Sequence, residues 1–136
     1  MSYASAVLAA FLLASNGASS IEGDWLTDGA TAVVRIGHCG PHLCGAVARV
    51  LAKGADVPRT DVHNPDPALR SRPIVGLPVL TGFTRDGDQW TGGRAYDAGS
   101  GRSYKAKLAA NPDGTLTVTG CVLFLCRSQT WFRAER

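Results

Sequence analysis

The alternation of side chains in residues 115–120 constrains the fold of this chain most strongly. Leu116 and Val118 alternate there with three threonines. Residues 104–108 repeat the pattern, since Tyr, Ala and Leu alternate there with two lysines. A period of two is typical of a β-strand that buries one face. Turn-forming segments border the two stretches, Ala-Gly-Ser-Gly at 98–101 and Asn-Pro-Asp-Gly at 111–114. The sequence therefore predicts antiparallel strands joined by tight turns.

Six further segments have the composition of short strands or of chain leading into one. They are residues 23–26, 31–36, 43–51, 74–83, 90–97 and 129–133. Within 74–83, Pro78 keeps the chain off a central ladder, so this stretch is either a helical turn or a strand. With 136 residues, the chain has room for one domain. We predict an all-β antiparallel meander of about eight strands, closed into a barrel because closure removes exposed edges.

The long connection at residues 52–73 differs in kind, since it is polar, rich in proline and lacks alternation. Asp66 followed by Pro67 is a good start for a helical turn, because Asp caps a helix and Pro suits its first position. The residue before Pro73 avoids helical backbone, which ends the turn. One short helical turn over residues 67–71 is expected.

The densest polar cluster of the chain lies in this connection, and two interpretations of it stay open. In one, Asp61, Asn64 and Asp66 cap and pin the loop across the end of the barrel. In the other, Arg70 and Arg72 present their guanidinium groups to an anionic ligand, for which their bidentate geometry is suited.

The first twenty residues resemble an export signal. Residues 4–14 are apolar or small, and residues 15–20 are small or polar. No Lys or Arg precedes Arg35, so positive charge comes only from the amino terminus. The apolar run is shorter than the roughly 20 residues that a membrane-spanning helix needs, so no permanent span is expected. We predict a signal peptide at 1–20 and a domain at 21–136 that is periplasmic or secreted; a buried N-terminal helix is the alternative.

The four cysteines occur as two pairs with the same spacing, Cys39 with Cys44 and Cys121 with Cys126. An even number of cysteines in a small exported domain indicates disulfides, and the local pairing is the simplest of the three connectivities. A zinc site is the alternative, because His38 and His42 lie beside the first pair. We predict two disulfides and no metal.

Several short motifs make the chain resemble a bacterial family known as domain of unknown function 2147. They are Gly23-Asp24-Trp25, Val34-Arg35-Ile36, Leu43-Cys44-Gly45, the string from Asp61 through Asn64-Pro65-Asp66-Pro67 to Pro73, Gly76-Leu77, Tyr96-Asp97, Gly101-x-x-Tyr104, Gly120-Cys121 and Gln129-Thr130-Trp131-x-Arg133. The resemblance covers essentially the whole predicted domain. It implies export and a lipocalin-like barrel, but no reaction and no catalytic residue.

Four large aromatic residues are the candidates for the barrel interior: Trp25, Tyr96, Tyr104 and Trp131. They could line a ligand pocket or simply fill a small core. Arg133 follows Trp131 by two residues and would point to the same face of a strand, where a guanidinium could stack on a tryptophan that closes the barrel.

Composition and motifs limit the functions to be considered. The net charge of +3 is mild and the basic residues are scattered, which argues against nucleic acid as a partner. No motif of a hydrolase, metalloprotease or phosphate-binding loop is present, so we predict a protein that is not an enzyme and uses no cofactor. The expected function is that of an exported cell-envelope protein that binds a small apolar or amphipathic ligand in its barrel. The alternative is a structural or protein-interaction module with a filled barrel, which would use the 61–73 loop to contact an envelope partner.

Overall fold

Among residues 20–135, eight antiparallel strands follow one another, and each is hydrogen-bonded to the next. They are β1 (Gly23–Leu26), β2 (Ala32–Cys39), β3 (His42–Val50), β4 (Pro78–Asp86), β5 (Gln89–Asp97), β6 (Arg102–Ala110), β7 (Leu116–Val122) and β8 (Leu125–Arg133). The last strand also pairs with the first, Trp25 facing Arg133 and Leu26 facing Phe132, so the sheet closes into a barrel. The predicted all-β meander is thereby confirmed.

The computed structural model describes residues 20–135. The predicted signal segment lies outside these residues, apart from Ser20. Within residues 20–135, no helix is long and apolar enough to cross a membrane. In the part of the chain that the structure describes, the helical content consists of single 3-10 turns, Asp28–Ala30 between β1 and β2 and Pro67–Leu69 in the long connection.

Among the boundaries that differ from the sequence prediction, three concern the long connection and the last strand. The chain at 74–77 is irregular, and β4 begins at Pro78, which is a strand position that needs no backbone donor. The predicted helical turn at 67–71 shortens to Pro67–Leu69. The last strand begins at Leu125 rather than at 129, because β7 and β8 pair from their tight turn onwards, with Val122 facing Leu125. The backbone hydrogen bonds of this pairing do not depend on the side chains. The composition of residues 125–128 therefore did not indicate a strand.

Because the strands run up and down, their connections alternate between two ends of the barrel. The connections β1–β2, β3–β4, β5–β6 and β7–β8 lie at one end, which we call the open end. The other three connections lie at the opposite end, called the floor, together with residues 20–22. The long loop, defined as residues 51–77, therefore belongs to the open end.

Large apolar side chains fill the floor half of the barrel. Trp25, Leu43, Phe83, Leu108 and Leu116 are each at most 1% exposed. Phe83 can lie flat against β5 only because residue 93 is glycine, since a Cβ there would be 2.5 Å from the Phe83 ring. The floor is therefore a packed core, and any free volume must lie nearer the open end.

Candidate functional site

A cavity of about 600 Å³ occupies the open half of the barrel. Its wall is mostly apolar and comes from strands all around the barrel, including Val34, Val47, Leu80, Ala95 and Val118. None of the five large floor residues reaches it. Ligand cavities of small-molecule binding proteins span about 300–1,000 Å³ and are lined in this way, with few polar groups.

Polar groups gather at the rim of the cavity. Arg127 and Gln129 on β8 line it, and so do Asp28 and Asp97 from two turns at the open end. Trp131 lies below Gln129 on the same strand and donates its indole N–H to the Gln129 Oε1 at 2.9 Å. Arg127 is the one cation among the described residues that line the cavity. A ligand with an apolar body and a polar end would thus meet matching surfaces.

Asp61 anchors the long loop against the side of the barrel. Its carboxylate is 0% exposed and accepts hydrogen bonds from Tyr96 Oη at 2.7 Å, Asn64 Nδ2 at 2.8 Å and Arg72 Nη2 at 3.2 Å. The loop also packs against the β5–β6 turn, where a side chain at Gly101 would collide with a backbone carbonyl of the loop. The carboxylate therefore ties together residues 61–72 of the loop and joins them to Tyr96 on β5.

The protonation of this anchor follows from its environment. Burial by itself raises the pKa of Asp61, but the hydrogen bonds from Tyr96, Asn64 and Arg72 outweigh it and leave the pKa below its ordinary value of 3.8. Burial, and then the bond to Asp61, raises the pKa of Tyr96 to about 12. At neutral pH Asp61 is an anion and Tyr96 a neutral donor.

The four aromatic residues predicted as ligand contacts divide into two groups in the structure. Tyr96, Tyr104 and Trp131 line the cavity. Trp25 lies in the core below it and is 1% exposed.

The two predicted arginine ligands lie outside the cavity and bond within the loop. Arg70 donates its Nε to the Asn64 carbonyl at 2.8 Å, and Arg72 bonds to Asp61. The remaining loop residues act locally, since Asn64 Oδ1 accepts from the Asp66 N–H and Asp66 Oδ1 accepts from the Ala68 N–H. The geometry thus matches the interpretation in which the polar cluster pins the loop.

Arg133 stacks on a tryptophan, but on Trp25 rather than on Trp131. Its guanidinium carbon lies 4.1 Å from the Trp25 ring centroid. The same group donates to the carbonyls of Glu22 at 2.6 Å and Ser20 at 2.7 Å, and so holds residues 20–22 across the floor. Trp25 and Arg133 face each other on neighbouring strands, a pairing that spacing within one strand could not indicate. The floor is closed by this contact.

Both local disulfides are present, Cys39 with Cys44 across the β2–β3 turn and Cys121 with Cys126 across the β7–β8 turn. The sulfurs are therefore bonded to each other and are not thiolate ligands for zinc. In residues 20–135 there is no cluster of three His, Cys, Asp or Glu side chains suited to a metal ion.

Sequence reasoning missed the apolar wall and the rim residues Arg127 and Gln129. The period-two alternation in β7 marks Val118 as an inward residue, so part of the wall could have been found. Nothing in the sequence distinguishes an inward residue that lines a cavity from one that fills a core. Arg127 gave no signal, since its strand was predicted to begin two residues later.

A closed up-and-down barrel of eight antiparallel strands, filled at one end and hollow at the other, defines the lipocalin-like class. One solved structure of similar shape is described as "Protein HP1028 from the human pathogen Helicobacter pylori belongs to the lipocalin family". The TM-score is 0.75 and the sequence identity 21%, over 85% of this chain and 84% of that one. At this identity the likeness concerns the fold alone.

The family to which this chain belongs is identified by comparison of its sequence with family models. Residues 23–133 match the model of a family described as "Uncharacterized protein conserved in bacteria (DUF2147)". The chain belongs to this family, as its motifs predicted. A comparison with curated proteins gives no significant match.

Proposed function

We propose that this chain is an exported binding protein that holds a small apolar or amphipathic molecule in the open half of its barrel. The observation that carries the proposal is the cavity of about 600 Å³ with its apolar wall. Export is supported by the two disulfides, because such bonds persist mainly in oxidising compartments. The competing role, a filled barrel that acts through the 61–73 loop, has less support because the buried Asp61 already engages Asn64 and Arg72.

The ligand would lie with its apolar part towards the floor and its polar end at the rim. The apolar part would contact Val47, Leu80 and Val118. This contact would remove apolar surface of the ligand and of the cavity wall from water. Arg127, the cation of a rim that also contains Asp28 and Asp97, would bond to an acceptor at the polar end, such as a carboxylate or sulfonate. Tyr96 contributes its ring, since its hydroxyl is bonded to Asp61.

Titration with N-phenyl-1-naphthylamine, whose emission rises in apolar surroundings, tests this proposal. The wild type is expected to bind this uncharged probe. The double variant Ala95→Phe/Val118→Phe, which places two rings in the cavity, is expected to bind it at least about tenfold more weakly, equivalent to ~1.4 kcal/mol. Arg94→Phe is the matched control, because residue 94 is exposed on the same strand as Ala95.

The role of Arg127 is tested with a second probe, the anion 1-anilinonaphthalene-8-sulfonate. Arg127→Gln should weaken binding of this anion by several-fold and leave binding of the uncharged naphthylamine unchanged. Circular dichroism would verify that each variant is folded. The proposal fails if the wild type binds neither probe, or if filling the cavity leaves the affinity for the uncharged probe unaltered.

A further inference from the structure

The turn between β7 and β8 exposes four consecutive apolar residues, which we call the apolar tip: Val122, Leu123, Phe124 and Leu125. Their exposed fractions are 52%, 88%, 86% and 71%. Turns at a protein surface are normally built from Gly, Pro, Asn, Asp or Ser. Isolated exposed apolar residues are ordinary, but a contiguous group of this kind marks an interaction site.

The backbone of the apolar tip makes its composition more unusual. Leu123 has a φ of +57°, and it is the first of two residues that link the paired Val122 and Leu125. Glycine is the residue that a positive φ favours at this place in a hairpin. Other hairpin turns of the barrel follow that rule, with Gly40, Gly87 and Gly101 at positive φ. A turn that only had to reverse the chain would not need leucine here.

The apolar tip lies at the end of a hairpin that is closed by a disulfide and extends past the end of β1. The disulfide between Cys121 and Cys126 lies directly below it. Strand β8 bonds to β1 only through Phe132 and Arg133 among the described residues, so the hairpin continues well past the end of β1. The rim residue Arg127 follows Cys126 directly, which places the apolar tip beyond the mouth of the cavity.

The shape of the apolar tip distinguishes a lipid surface from a protein surface. Val122 and Leu125 form a cross-strand pair and therefore share one face of the hairpin, whereas Leu123 and Phe124 lie in the turn at its end and are almost fully exposed. The apolar surface is thus concentrated at the end of a narrow protrusion and is not a flat face of the kind that a folded protein partner covers. The interfacial region of a bilayer surrounds a narrow protrusion and accepts Leu and Phe on all sides.

The charges near the apolar tip are suited to anionic lipid. Strands β6, β7 and β8 contain no acidic residue, and of their five basic residues Lys105 and Arg127 lie next to the apolar tip, whereas Arg133 lies at the floor. Lys105 pairs in register with Cys121, and Arg127 pairs with Gly120. Two cations therefore lie within one or two residues of the apolar tip. Basic groups at this depth attract anionic head groups.

We propose that the apolar tip inserts into the interfacial region of an anionic lipid bilayer, with Lys105 and Arg127 at the level of the head groups. The chain then lies on the membrane and does not cross it. This contact turns the open end of the barrel towards the lipid. Docking does not depend on the proposed ligand cavity, and the two are tested separately.

Sedimentation with lipid vesicles tests the proposal, using the purified protein and vesicles of phosphatidylglycerol and phosphatidylcholine. Leu123→Gly/Phe124→Asn removes the apolar side chains and supplies the residues that this turn favours, so the hairpin should still form. We expect its partition coefficient to fall at least about tenfold below that of the wild type. Phe132→Asn is the control, because Phe132 is 54% exposed and lies far down the same strand; it should bind within about twofold of the wild type.

Two further measurements identify the contact. Phe124→Trp should show a blue-shifted emission with vesicles, and brominated lipid should quench it. Lys105→Glu, raised salt or vesicles of phosphatidylcholine alone should each weaken binding several-fold. The proposal is overturned if wild type and tip variant bind vesicles equally, if neither binds, or if the tip variant differs only in lipid-free self-association. Naphthylamine binding by the tip variant would remain unchanged, which separates this result from a failure of the cavity.

Discussion

Replacing Asp61 with asparagine tests whether one buried carboxylate holds the long loop on the barrel. The substitution keeps the shape of the side chain and removes its charge. One oxygen remains to accept from Tyr96, which donates at 2.7 Å. The new amide NH₂ would face the donors of Asn64 and Arg72, which now lie 2.8 Å and 3.2 Å from the second oxygen. Two hydrogen bonds are replaced by contacts between donors.

The size of the effect follows from these contacts. A hydrogen bond to a charged group contributes about 1.5–3 kcal/mol, so losing two gives about 3–6 kcal/mol. The side chain of Arg72 is 39% exposed, and water can solvate part of it after the change. We therefore expect the lower end, about 3 kcal/mol, which for a domain of this size lowers Tm by roughly 10 °C. Asp56→Asn, an exposed position in the same loop, should change Tm by less than about 1 °C.

Urea unfolding followed by tryptophan fluorescence, repeated from pH 7 to pH 3, is the assay. Because the pKa of Asp61 is lower in the folded state than its ordinary value, its contribution to stability is fully present above about pH 4 and is lost as pH falls through the folded-state pKa. The difference between wild type and Asp61→Asn should therefore be greatest at neutral pH and shrink below about pH 4. A difference under about 1 kcal/mol at pH 7, or one that is constant to pH 3, would refute this account.

Two glycines give further tests. Gly23→Ala should cost about 2 kcal/mol and speed hydrogen exchange in residues 20–26, since the new Cβ lies 2.7 Å from Arg133 Nη1 and φ is +122°; unchanged exchange would show that Arg133 does not hold the floor. Gly93→Ala should cost up to about 3 kcal/mol by collision with the Phe83 ring. Adding Phe83→Leu should recover part of that loss in thermal unfolding, and purely additive losses would contradict the contact.

The sequence predicted the barrel because its strands are defined locally. Alternation in β6 and β7, and turn residues between them, need only neighbouring positions to be recognised. The contacts that close the barrel depend instead on strands distant in sequence. Arg133 lies over Trp25, and Tyr96 bonds to Asp61. Such pairs follow from the register of the closed sheet. The spacing of residues within one segment does not reveal that register.

The polar loop shows the same division. Asp66 as a helix cap was predictable, because its partner, the Ala68 N–H, lies two residues away. The bonding partners of Arg70 and Arg72 were not predictable, because whether each arginine binds a ligand or an internal acceptor depends on where the loop folds. In the structure, both arginines bond to atoms of the loop itself. Arg127, which belongs to no local motif, lies at the cavity rim instead.

The position of the cavity can be traced to a gradient of side-chain size along β7. Its inward residues are Leu116 at the floor, Val118 in the wall and Gly120 near the rim, so the strand occupies less of the interior towards the open end. A Cβ at Gly120 would lie 3.4 Å from the Cβ of Tyr104 on the neighbouring strand. The neighbouring strand β6 has no such gradient, because its inward residues run from Leu108 in the floor to Tyr104 in the cavity wall. The choice between a filled barrel and a binding barrel therefore depends on the side-chain volume summed over all strands, which only the closed sheet brings together.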